Sequence, residues 1–107
     1  MSVTIEEALL YKGMEPDIYT GDAVVEANAA RALRAAQATV LGAVGEDVEA
    51  YLPDDPRVRE LTLIFFDDLY SERGVSAKVS GATRRLVFDM EQQLRLELRQ
   101  AREAASV

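Results

Sequence analysis

The chain contains no cysteine and no histidine. Without cysteine it builds neither a disulfide framework nor a thiolate metal site. Without histidine it has no imidazole base, no Ser–His pair and no histidine-ligated metal. Carboxylates, lysine and tyrosine are what remain for chemistry. Long apolar runs are missing too. The longest charge-free stretch, Ala35 to Gly45, is eleven residues rich in Ala and Gly, far short of the ~20 that a spanning helix needs. The opening Met1-Ser2-Val3-Thr4-Ile5-Glu6-Glu7 has no basic region before an apolar core, so no export signal is expected, and the protein is expected to be soluble and to begin in a cytoplasm. Basic residues are scarce: 12 Lys and Arg against 19 Asp and Glu leave a net charge of −7. That balance argues against tight nonspecific DNA binding, because phosphate neutralisation needs clustered Lys and Arg.

What is present points to a folded domain. Leu, Ile, Val and Phe make up 29 of the 107 residues, too many for a disordered chain, and the length fits one domain over 1–107. A chain of this size buries only ~60–70% of its unfolded surface, so self-association would help it. The charge is unevenly spread. Residues 1–55 carry 11 acids and 3 bases, and residues 56–107 carry 8 acids and 9 bases. One half can therefore attract the other, within a subunit or between subunits.

Local signals predict an all-α protein of four helices: a short N-terminal helix, two longer core helices and a long C-terminal helix in a small bundle. The first runs from Thr4 to about Lys12. Thr4 and Glu7 form a capping box, and Gly13 can end the helix in a left-handed conformation. A polar stretch, Met14-Glu15-Pro16-Asp17, follows. The second helix begins after Asp22, a good N-cap, and runs to Gly42 or Gly45, with Val25, Ala29, Ala32, Ala36, Val40 and Ala43 on one face. Glu46 to Asp55 reads as a surface loop with one or two anchors. Asp55 then caps a third helix whose first position is Pro56, where a missing N–H costs nothing. It extends to about Arg73, with Gly74 as its stop. Leu61 to Phe66 alone would also read as a strand, but the start signal and length favour a helix. Val58, Leu61, Phe65 and Leu69 share one face; Leu63, Phe66 and Tyr70 make a second. A helix apolar on two sides is a core helix or one that packs on two neighbours, and the second face is the candidate for a buried contact, with a second subunit as one source of it. After a loop from Gly74 to Gly81, the fourth helix spans Ala82 to about Ala104. Its apolar stripe is Leu86, Val87, Met90, Leu94, Leu98 and Ala101. Arg84, Arg95, Arg99 and Arg102 lie opposite, with Glu91 placed to pair with Arg95.

Candidate chemistry is thin. Glu46-x-x-Glu49 resembles half of the Glu-x-x-Glu metal motif of all-α nucleotide pyrophosphohydrolases, and the second half is absent. Asp67-Asp68 is an acid pair on a helix border, and Asp54-Asp55 is explained as a cap. Gly42-x-x-Gly45 lacks the Lys-Ser/Thr and the preceding strand of a phosphate loop. No catalytic residue, cofactor or metal is expected. The arginine stripe fits a solvated face, an acidic protein surface or phosphate.

Two segments carry a resemblance. Leu69-Tyr70-Ser71-Glu72-Arg73 is similar to the Leu-Tyr-x-x-Arg end of the third helix in tailed-phage head–tail connector (neck adaptor) proteins. Met90-Glu91-Gln92-Gln93-Leu94-Arg95-Leu96-Glu97-Leu98 resembles the Gln-Leu-Arg signature of the same group, the QLRG family of DNA-packaging proteins. Val3-Thr4-Ile5-Glu6-Glu7-Ala8 is similar to the family's opening. On this resemblance the signature residues are Leu69, Tyr70, Arg73, Gln93, Leu94 and Arg95. Leu96 stands where the family has glycine, so the helix should continue through it. The resemblance implies structural work and no enzyme activity: a homo-oligomeric ring beneath the portal protein, extending the DNA channel and docking a further neck or tail protein. DNA would pass without sequence-specific binding, no membrane is involved, and the location would be the virion neck after assembly in the host bacterial cytoplasm. The alternative is a small acidic helical binding module outside the virion, of the antitoxin or regulator kind; an all-α carboxylate hydrolase is a further rival.

Overall fold

The computed structural model describes residues 3–70 and 81–106. Among them there is no strand, and the chain forms a small all-α bundle: α1 (Ile5–Tyr11), α2 (Pro16–Tyr19), α3 (Ala23–Val44), α4 (Val48–Tyr51), α5 (Pro56–Tyr70) and α6 (Gly81–Ala105). Four helices have seven residues or more, and α2 and α4 are single turns. The expected stop at Gly74, the expected loop over 74–80, and Arg73 lie outside the described residues; Gly81, expected to close that loop, opens α6 instead.

The helix ends follow their local chemistry. The Thr4 hydroxyl accepts from the Glu7 amide at 3.1 Å, and the Glu7 carboxylate accepts from the Thr4 amide, closing the capping box. At the other end of α1 the Gly13 amide donates to Leu10 and the Met14 amide to Leu9, each at 2.9 Å, around a left-handed Gly13 with φ 93°. This pair of bonds is a Schellman stop. Asp22 caps α3 by accepting from the Val24 and Val25 amides. One Asp55 oxygen accepts the Arg57 amide at 2.9 Å at the start of α5.

Two stretches read as irregular turn out to hold a helical turn each. Pro16 opens α2 after an extended Glu15, and Val48, fully buried, anchors α4 within the segment 46–55. A single turn shows no periodicity, so only its anchors were visible in advance.

α3 and α5 run antiparallel and form the central pair. Ala29, Ala32 and Ala36 of α3 are fully buried; their small side chains let α5 approach closely. The core has two parts. Near the start of α3, Val3, Leu9, Tyr19 and Leu33 enclose Phe66. Near its end, Val40 and Val44 meet Val48, Val58, Leu61, Leu94 and Leu98. Phe65 packs against both parts. Thr62 is buried, and its hydroxyl donates to the Val58 carbonyl at 2.8 Å, so no polar group is stranded there.

This packing corrects the reading of α5. Phe66 has no exposed surface in the single chain. Its ring is interior to the subunit and unavailable to a partner. Leu63 and Tyr70 pack against the same core, and the Tyr70 ring stacks on Phe66 at 5.5 Å and 18°. The second apolar face of α5 is answered by α1 and α3, because a core helix with two neighbours buries two stripes.

α6 differs from expectation in rotation. Leu94 and Leu98 are fully buried and Val87 and Met90 half-buried, but Leu86 is 53% exposed. Leu86 lies one residue, about 100°, before Val87. With Val87, Leu94 and Leu98 at the centre of the contact, it falls at the edge of the stripe. The helix runs on unbroken through Leu96, as the missing glycine predicts.

Candidate functional site

The surface that the packing leaves open lies on α6. At about 100° per residue, Arg84, Phe88, Arg95, Arg99 and Arg102 fall in an arc of roughly 60° that flanks the Leu94 and Leu98 stripe, its centre about 90° from theirs. Glu91 borders this arc and no acid lies within it. Phe88 is 58% exposed in its midst. Beside the second half of the arc, α6 and the end of α3 enclose an open cleft of about 680 Å³, lined by Gly42, Gly45, Gln92, Arg95, Arg99 and Arg102 among others.

Two of the arginines hold the cleft together. The Arg95 Nε donates to the Ala43 carbonyl in the last turn of α3, where free carbonyls and the negative end of the helix dipole favour a cation. This replaces the pairing with Glu91 expected from sequence: the carbonyl lies 52 residues away and no local spacing announces it. Arg102 donates from Nε to Asp47 Oδ2 at 2.7 Å and is ion-paired to Oδ1 through Nη2. The Arg102 hydrogen bond holds the Asp47 carboxyl below the usual carboxylate range, and Asp47 in turn raises the guanidinium. Gly45 makes the approach possible. With φ 148°, it sits where a Cβ would come within 2.5 Å of the Leu98 side chain and 2.9 Å of the Arg102 guanidinium. Arg84 and Arg99, in contrast, make no hydrogen bond or ion pair among the described residues.

A second clamp fastens α5 to α6. Arg57 donates from Nη1 and Nη2 to the two Glu97 oxygens, each at 2.7 Å, and also bonds Asp55 from Nε and Nη2 at 3.0 and 2.8 Å. The Arg57 hydrogen bonds push both carboxyls down and Arg57 up. Arg59 pairs with Glu7, and Lys12 with Asp67 at 3.1 Å; the Lys12 ammonium also lies 5.6 Å from the Tyr70 ring centre. Part of the attraction between the acidic and basic halves is thus used inside the chain, through Glu7–Arg59 and Asp47–Arg102.

The signature residues divide by role. Leu69 and Tyr70 are half-buried against the first core. Leu94 is fully buried, Arg95 caps α3, and Gln93 is exposed. Arg73 is outside the described residues. Two of the acidic candidates have structural occupations: Glu49 accepts from the Asp54 amide at 3.1 Å and steadies its left-handed backbone, φ 53°, while Asp67 is paired with Lys12. Among the described residues no three acids gather into a group fit for a metal ion, and no helix is long and apolar enough to cross a membrane. Sequence reasoning missed the Arg57–Glu97 clamp, the exposure of Leu86 and Phe88, and the cleft. The isolated apolar Phe88 inside an arginine stripe was the one available signal. No family model, no curated protein and no solved structure matches the chain.

Proposed function

We propose that the chain is a structural subunit of a phage or prophage head–tail connector, one copy of a ring beneath the portal that extends the DNA channel and docks the next neck or tail component. The observation that carries this reading is the pair of resemblances in sequence, Leu69-Tyr70-x-x-Arg73, whose first two residues close α5, and Gln93-Leu94-Arg95 in the middle of α6. The way these residues are used supports it. Leu94 anchors α6 in the core and Arg95 ties it to the end of α3, a placing role of the kind a structural subunit would give them. The short α1 before the long α3 and the long last helix agree with the helix order that the resemblance asks for.

The test is co-purification with the portal protein encoded in the same genome, with particle size read by light scattering and electron microscopy. A ring bound to the portal is expected. A fixed dimer that ignores the portal would favour a regulatory binding module and sink the connector reading. Nucleotide hydrolysis with Mg²⁺ or Mn²⁺ would point instead to a carboxylate enzyme.

A further inference from the structure

We infer that the basic face of α6 is a docking surface for a second copy of this chain, and that its occupant is the acidic corner formed by α2 and the start of α3. The inference deepens the connector reading, on which it rests for the expectation that copies assemble; the surfaces themselves are assigned from charge and exposure.

The basic face carries Arg84 and Arg99 without partners among the described residues, with the exposed Phe88 between them. The acidic corner is its counterpart. Residues 13–30 contain Glu15, Asp17, Asp22 and Glu26 and no Lys or Arg. All four acids are exposed, and none has an ion pair among the described residues. Val24 stands among them at 69% exposure, the most exposed of the large apolar side chains. Each surface thus sets one exposed apolar side chain among charges of a prevailing sign, with Glu91 bordering the basic face and Asp68 of α5 beside Arg84, and the signs are opposite. Such pairing steers encounter and fixes register.

The two surfaces are not joined within one chain: none of the four acids has an ion pair among the described residues, and the cleft at the Arg99 end of the basic face lies about 27 Å along α3 from Glu26 at ~1.5 Å per residue. The contact is therefore between copies, and it joins two different surfaces. A contact of that kind is heterologous and builds a ring or an open filament rather than a closed pair. Nucleic acid is the other polyanion that the arginines could meet. The net charge of −7 opposes it, and a phosphate backbone leaves Phe88 and the acidic corner without a purpose.

Sedimentation of the full chain, from micromolar to millimolar and at low and high salt, tests this. The natural chain is expected to gain mass with concentration at low salt and to lose that gain at high salt. Arg84→Glu with Arg99→Glu should weaken association about tenfold or more, as should Glu15→Lys with Glu26→Lys. The chain carrying all four changes should associate again, and so should an equimolar mixture of the two double variants. Circular dichroism checks that each remains helical. A monomer under all conditions, charge reversals without effect, or no recovery in the fourfold variant would overturn the proposal. So would a monomer that binds duplex DNA through the same arginines. The two readings fail separately: rings on the portal that ignore these reversals would leave the connector and remove the surface. Association through these surfaces with no affinity for the portal would do the reverse.

Discussion

Gly45 is where one atom decides how two helices meet. Its backbone, φ 148°, suits glycine, and the space a Cβ would fill is already taken by Leu98 and Arg102. Gly45→Ala therefore strains the backbone and displaces the ends of the Leu98 and Arg102 side chains, and should lower the unfolding free energy by about 1–3 kcal/mol. Three residues earlier, Gly42 is helical and nothing lies within 4 Å of its would-be Cβ. Gly42→Ala should raise stability, by up to about 1 kcal/mol, since alanine gives up less chain entropy in a helix. Urea unfolding at low protein concentration and high salt, where association does not contribute, checks both signs. Equal effects at the two positions would mean that α6 does not press on Gly45.

At the scale of elements, α5 and α6 are joined by one guanidinium shared between two carboxylates. Asp55 is the better shielded of the two, with 13% of its side chain exposed against 44% for Glu97, and so weighs more. Both carboxyls are held below their ordinary values by hydrogen bonds from Arg57. A depressed folded-state pKa contributes stability above the unfolded value and loses it as the pH falls through the folded one. The unfolding free energy should therefore decline from about pH 5 towards pH 2. Arg57→Ala should lower stability at neutral pH and flatten that decline. It should flatten it only in part, because Glu7, held down by the Thr4 amide and by Arg59, and Asp47, held down by Arg102, titrate in the same direction. Denaturant midpoints measured across that range decide the matter; parallel curves for the two proteins would remove the clamp from the account. The same elements show where sequence is informative. Thr4 with Glu7, Gly13, Asp22 and Asp55 with Pro56 each mark a helix end, because a cap is made by residues two to four apart. Glu97 lies 40 residues from Arg57, and Ala43 lies 52 from Arg95, and no local pattern carries such a pairing. The partner of Phe66 is hidden in the sequence for a related reason. Periodicity shows that a face is apolar but not whether α1, α3 or another copy covers it.

The whole molecule is extended for its mass. Its axes measure 51 × 30 × 18 Å and its radius of gyration is 15.2 Å, against about 13 Å for an ordinary domain of this length. Much of the elongation comes from α6, whose 25 residues would span ~38 Å. Its inner stripe is carried by Leu94 and Leu98 late in the helix, while Leu86 and Phe88, an early pair, stay exposed. Local opening should follow this division. In dilute protein the amides of α3 and α5 should exchange with solvent most slowly, and those of residues 84–90 fastest among the backbone bonds of α6 away from its ends. If copies meet through Phe88 and its arginines, raising the concentration at low salt should slow residues 84–90 and the α2–α3 corner together. The centre of α5, already sealed by α1 and α3, should not change. Slowing confined to one of the two surfaces would mean a like-to-like contact, which closes as a pair and cannot build a ring.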